Sequence, residues 1–166
     1  MSRLHLDAEL EHESCLIHLK NRSSHADDSE QVLKVILLIE SDDTDASLFG
    51  LVATSRDSNA RVHVVKDVTQ ARACLEGKGM YEDRREYPLP SLLVLGQALD
   101  STALEFLHWL RSHNEFRTLP ILAWPAEGFN GQIEKLQEAG VSHHVVKSPS
   151  TAPLRAAIKM MLTRTA

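Results

Sequence analysis

Five times in succession, a short run of valine, leucine and isoleucine is followed by a stretch with helical spacing. That alternation limits what the chain can fold into more than any other feature. The strands are read at Leu33–Ile39 (LKVILLI), Ala60–Val65 (ARVHVV), Ser91–Leu95 (SLLVL), Leu119–Trp124 (LPILAW) and Ser142–Lys147 (SHHVVK). The helices between and after them are read at Asp43–Ser55, Val68–Lys78, Thr102–His113, Gly131–Gly140 and Thr151–Arg164. Local signals support these spans. Acids stand in the first turn of the first helix, where they complement the helix dipole. Gly77 or Gly79 ends the second helix, Thr102 and Glu105 suggest a capping box on the third, and Gly140 closes the fourth. Pro153 sits in the first turn of the last. Short Val/Leu/Ile-rich strands alternating with helices argue for a parallel sheet covered on both faces, so the expected fold is α/β: a flavodoxin-like, doubly wound (βα)5 unit with a five-stranded parallel sheet.

In such a sheet the functional crevice lies beyond the carboxyl ends of the strands. The residues to inspect there are Glu40 to Asp43, Gly96 to Asp100, Trp124 to Glu127 and Lys147 to Pro149. Residues 1–32 stand apart as an N-terminal extension, with polar Lys20–Gln31 as a linker and an amphipathic helix around Leu6, Leu10 and Ile17; the folded domain is expected over 33–166. A net charge of -5 implies no dominant basic patch, so nucleic acid is not an expected partner. No run of about 20 apolar residues spans a membrane. Two cysteines, Cys15 and Cys74, do not make a disulfide framework, and a cytoplasmic protein is expected. His12, Cys15 and His18 are spaced as helical neighbours but lack a fourth ligand, and His143 and His144 should point to opposite faces of a strand, so no metal is expected at either place.

From Val35 to about Leu162 the chain resembles the receiver domains of two-component response regulators, in particular the single-domain type associated with phytochrome-like kinases. The resemblance rests on "ILLIESDDTDASLF", the long "EGKGMYEDRREYPLP" before the third strand, "LRSHNEFRTLPIL" and "AGVSHHVVKSP". It implies a CheY-like fold, a histidine kinase or another signalling protein as partner, and a five-group phosphotransfer site. Two adjacent acids after the first strand hold Mg²⁺, an Asp after the third is the nucleophile, a Thr or Ser follows the fourth, and a Lys follows the fifth.

Three of those five groups are absent. Glu40 matches the first acid, but Ser41 follows it; Gly96 takes the nucleophile's position and Pro125 that of the hydroxyl residue; Lys147 remains. The expectation is a pseudo-receiver that is not an enzyme, takes no cofactor and works by protein–protein contact. Two alternatives stand beside it: a phosphoacceptor using a non-standard acid such as Asp42 or Asp100, and a flavodoxin-like domain holding a small ligand. Against each candidate role a plainer one is set. Asp42, Asp43 and Asp100 serve as helix-start acids, Gly96 permits an unusual backbone angle, and Lys147 pairs with Glu40. His144 matches the position of an aromatic switch residue in the resembled family. With Met160 and Met161 it is expected to form an interaction face, used by a partner or a homodimer. Leu154, Ile158, Met161 and Leu162 form the apolar stripe of that last helix.

Overall fold

In a computed structural model of the chain, residues 32–55, 59–128 and 133–164 are described. The proposed N-terminal helix, the linker and the His12/Cys15/His18 trio lie outside them. The strands are β1 (Lys34–Ile39), β2 (Ala60–Val65), β3 (Leu92–Leu95), β4 (Ile121–Ala123) and β5 (His143–His144). The helices are α1 (Asp43–Ala53), α2 (Val68–Glu76), α3 (Ser101–Ser112), α4 (Ile133–Glu138) and α5 (Ala152–Arg164). All strand pairs are parallel and the order is β2-β1-β3-β4-β5, so the doubly wound sheet expected from the alternation is the one observed.

The period of two along each strand splits the core into two layers. Leu37, Ile39, Val65, Leu93, Leu95 and Ile121 face α2, α3 and Leu136 of α4. Ile36, Leu38, Val64, Val94, Leu122 and Trp124 face α1 and α5. β1, β3 and β4 therefore lie covered on both faces. On α5, Leu154, Ile158, Met161 and Leu162 are all buried against the second layer, so the entire stripe covers the sheet.

Several elements are shorter than their sequence patterns. β4 is only three residues long because Pro120 and Pro125 bracket it, and proline brings no N–H to a ladder. β5 is a two-residue strand, but its backbone still follows β4: Val145 N–H donates to the Ala123 carbonyl at 2.9 Å and Lys147 N–H to the Pro125 carbonyl at 2.7 Å. α3 begins one residue earlier than Thr102. Its cap is Asp100, whose Oδ1 accepts from Ala103 N–H at 2.8 Å, so the Thr102–Glu105 capping box does not form the helix start.

Two arginines close helix ends. Arg84 donates to the Cys74 carbonyl (2.8 Å) and the Leu75 carbonyl (2.6 Å) at the end of α2, beside Gly77 in the left-handed conformation. Arg111 donates to the carbonyls of Phe116, Arg117, Leu119 and Gly140 at 2.6–3.3 Å, tying the end of α3 to the turn after α4. Gly140 has φ +83°, and a Cβ there would stand 2.5 Å from Arg111 Nε. Carbonyls at the end of α2, in the loop after α3 and in the turn after α4 thus converge on planar guanidinium forks.

Candidate functional site

The ends of β1, β3 and β4 and the segment after β5 border a hollow of about 450 Å³, lined among others by Glu40, Asp45, Gly96, Pro125, Glu127 and Lys147. The backbone holds its walls together beyond the strands. Glu40 N–H donates to the Val65 carbonyl, Gly96 N–H to the Ile39 carbonyl and Trp124 N–H to the Leu95 carbonyl, all at 2.8–2.9 Å. The crevice predicted from the sequence is therefore one place, and Glu40, Ser41, Asp42, Gly96, Pro125 and Lys147 do meet there.

Its centre is an ion cluster. Glu40, only 3% exposed, uses both carboxylate oxygens: Oε1 accepts from Asp42 N–H at 3.0 Å and Oε2 from Lys147 Nζ at 2.7 Å. Lys147 Nζ also donates to Asp45 Oδ2 at 2.7 Å and stands 4.7 Å from the centre of the Trp124 ring, which is buried and tilted against Phe49. Burial by itself lowers the Lys147 pKa, but hydrogen bonds and charge from Asp45 and Glu40 outweigh it, and the ammonium is held above the ordinary lysine value. The expected Glu40–Lys147 pair is present, with a second carboxylate that the sequence reading did not single out. Asp45 is the third residue of α1, the position whose side chain turns back toward the cap; the spacing Asp42-x-x-Asp45 was the available signal.

Gly96 differs from its expectation. It is not among the glycines with positive φ, so no unusual backbone angle requires it. What requires glycine is space. A Cβ on residue 96 would stand 2.5 Å from Glu40 Oε2 and 3.1 Å from the Ile39 carbonyl oxygen. A side chain at the end of β3 would begin against the Glu40 carboxylate, which would have to shift to admit it.

The other acids have local duties. Asp42 caps α1, its Oδ1 accepting from Asp45 N–H at 2.9 Å; Asp43 pairs with Lys66; Asp100 caps α3. Magnesium requires several oxygen ligands around one point. Here residue 96 brings no side chain, Ser41 brings a neutral hydroxyl, and the Glu40 carboxylate is engaged by an ammonium and an amide, so this donor set does not fit the ion. Among the described residues no group of three or more His, Cys, Asp or Glu side chains is arranged to hold a metal.

The proposed interaction face is only partly exposed. His144 is half-buried and Met160 is 37% exposed, but Met161 is 4% exposed and packs in the core, which removes it from the face. Successive α-helical residues diverge by about 100°, so Met160 and Met161 cannot both look outward. His143, His144, Pro153, Ala156 and Met160 border a second hollow, of about 560 Å³. The two imidazoles do not diverge as a regular strand predicts. Their ring centres lie 6.2 Å apart, tilted by 36°.

No protein-family model matches the chain, and no curated protein matches it in sequence. Solved structures do. It is similar to the response regulator RPA3017, described in red light signalling of R. palustris (23% identity, TM-score 0.69, covering 81% of this chain and 96% of that one). It is also similar to the bacteriophytochrome response regulator RtBRR (29%, 0.64, 78% of each chain) and to the Mn²⁺-bound response regulator Rcp1 (21%, 0.63, 78% and 92%).

Proposed function

We propose that this chain is a receiver-like module of a two-component or phosphorelay system that acts without being phosphorylated, by contact with another protein. The solved structures it resembles are response regulator receiver domains, which supports the signalling class. One observation carries the finer reading: Glu40 Oε2 stands 2.5 Å from where the Cβ of a residue 96 side chain would lie, too close for both, and its negative charge holds Lys147. An aspartyl phosphate needs a carboxylate at that point and an ammonium free to meet the new charge. Neither is offered, and Asp42 and Asp100, the other acids considered, are engaged as helix caps. In this reading the chain is no enzyme. It works in the cytoplasm, and its partner is a histidine kinase or another signalling protein. No helix among the described residues is long and apolar enough to cross a membrane. Partner contact, or pairing with a second copy, falls on the surface of β5 and α5 that carries His144 and Met160.

The test is phosphotransfer. After incubation with acetyl phosphate and Mg²⁺, intact-mass measurement is expected to show unmodified protein. A stoichiometric base-labile phosphoryl adduct would overturn the reading, and its position would name the acid that replaces residue 96.

A further inference from the structure

The amino ends of the strands, at the other end of the sheet from the crevice, carry exposed apolar side chains. Val32 and Leu33, which lead into β1, are 74% and 42% exposed, and Leu89, which leads into β3, is 42% exposed. β1 and β3 are neighbours, and Ser91 N–H ties their entries together by donating to the Val35 carbonyl at 2.7 Å. Beside them, where the chain enters β3 and β4, lies a hollow of about 510 Å³. Leu89, Pro90, Phe116 and Pro120 give it apolar walls, and Glu115 and Arg164 are its charged groups. Arg164 is exposed and has no ion pair among the described residues. Apolar surface gathered in one place and rimmed by polar groups marks a contact site.

We infer that this face is the docking surface for the chain's own segment Leu4–Leu19, fixed by an ion pair between Glu13 and Arg164. The sequence carries one half of the match. With 3.6 residues per turn, Leu6, Leu10, Glu13 and Ile17 fall within about 60° of arc on one helix. Such a stripe needs burial, and an acid in the middle of it needs a cation where the stripe is buried. The hollow carries the other half, apolar walls beside a guanidinium without an ion pair. The crevice cannot serve, because its cation is already shared by Glu40 and Asp45. Charge agrees as well: Met1–Lys20 has four acids, Asp7, Glu9, Glu11 and Glu13, against the two bases Arg3 and Lys20. Reach is ample. The linker Lys20–Gln31 extends to roughly 40 Å at about 3.3–3.6 Å per residue, whereas β1 and β4 lie two strand spacings apart, roughly 10 Å. A tether of this kind sets an effective concentration in the millimolar range, so a contact too weak to join separate molecules holds within one chain. The face is remote from Glu40 and Lys147, and the inference holds whether or not the chain is phosphorylated.

The experiment uses the full chain, ¹⁵N-labelled, with a nitroxide on Cys15; Cys74 is buried and shielded from the reagent. Cys15 falls roughly 180° from Leu6 around the same helix, so the label leaves the apolar stripe clear. Amide signals are compared before and after the nitroxide is reduced. The expected result is that the amides of Leu89, Ser91 and Glu115–Leu119 lose at least half their intensity, while those of Glu40 and Lys147 keep theirs. Glu13→Arg and Leu6→Glu/Leu10→Glu should each restore the lost signals. The charge exchange Glu13→Arg/Arg164→Glu should bring the loss back. Mixing nitroxide-bearing ¹⁴N chains with unmodified ¹⁵N chains should produce no loss, because the contact is within one chain. Four results would overturn the inference: no loss, a loss spread evenly over the surface, a loss unchanged by Glu13→Arg or not regained on charge exchange, or a loss in the mixed sample, which would make the occupant a second copy. None of these outcomes depends on the phosphotransfer result.

Discussion

Replacing Gly96 with alanine adds one methyl group, and the structure specifies what it meets. The new Cβ would stand 2.5 Å from Glu40 Oε2 and 3.1 Å from the Ile39 carbonyl oxygen. The backbone oxygen belongs to the sheet and yields little, so the carboxylate must move. It is not free to move at no cost, since Oε1 holds Asp42 N–H and Oε2 holds Lys147. Overpacking a tight site costs typically 1–3 kcal/mol. Breaking a buried pair outright costs 3–5 kcal/mol, but here Lys147 keeps Asp45, which moderates the loss. The expected destabilisation is therefore about 2 kcal/mol, or a fall in Tm of about 4–8 °C for a chain of this size. The assay is urea unfolding of wild type, Gly96→Ala, Glu40→Ala and the double variant as a cycle. If the clash is with Glu40, the methyl should cost about 1 kcal/mol less once that carboxylate is gone, giving a coupling of the size found between touching residues. A Gly96→Ala variant within about 0.5 kcal/mol of wild type, or a cycle that adds without coupling, refutes the account of why residue 96 is glycine.

Lys147→Met should destabilise by about 2–3 kcal/mol at neutral pH by leaving the Glu40 carboxylate buried without its cation. Because the folded-state pKa of Lys147 is raised, the stability it supplies is complete below the ordinary lysine value of 10.5 and is lost as pH climbs through the higher folded value. The gap between wild type and Lys147→Met in urea unfolding should thus stay level to about pH 10 and narrow only above it, and narrowing at pH 8 would contradict the raised pKa. Arg111→Ala should cost about 2–3 kcal/mol, and Arg111→Lys should recover little, since an ammonium cannot span four carbonyls; equal stability of Arg111→Lys and wild type would show the fork to be dispensable. Met161→Ala should cost about 2–4 kcal/mol by thermal unfolding, while Met160→Glu should stay within about 0.5 kcal/mol, so the reverse order would mean that the helix is rotated.

The architecture was legible because β1, β3 and β4 lie in apolar runs and two of the helices, α2 and α4, carry glycine stops, as Gly77 and Gly140 show with their left-handed backbones. Element ends were less legible where two residues competed for one task. Thr102 has the spacing of a capping box, but Asp100 is the residue whose carboxylate reaches Ala103 N–H. In the crevice, strand-end position alone was enough to bring Glu40, Gly96 and Lys147 together. The reason for Gly96 could not be read, because it depends on where the Glu40 side chain points, a three-dimensional fact that one residue type does not encode. Asp45 was hidden in the same way: its partner Lys147 lies 102 residues away. The histidine pair misled for the opposite reason, since the rule of alternation fixes where a Cβ leaves the strand and not where a ring ends up at an open edge.

The ion cluster also bears on how the molecule opens. Strained residues cluster at active sites, and binding loops and lids are drawn from the least stable parts of a fold. Here the carboxyl ends of the strands are stitched by Lys147 to Glu40 on one side and to Asp45 on the other, which joins the last strand to the first helix across the mouth of the sheet. The mouth is therefore expected to exchange its amide hydrogens with solvent together with the sheet's centre, and the earliest exchange is expected at the short outer strand, which has a strand neighbour on one side only among the described residues.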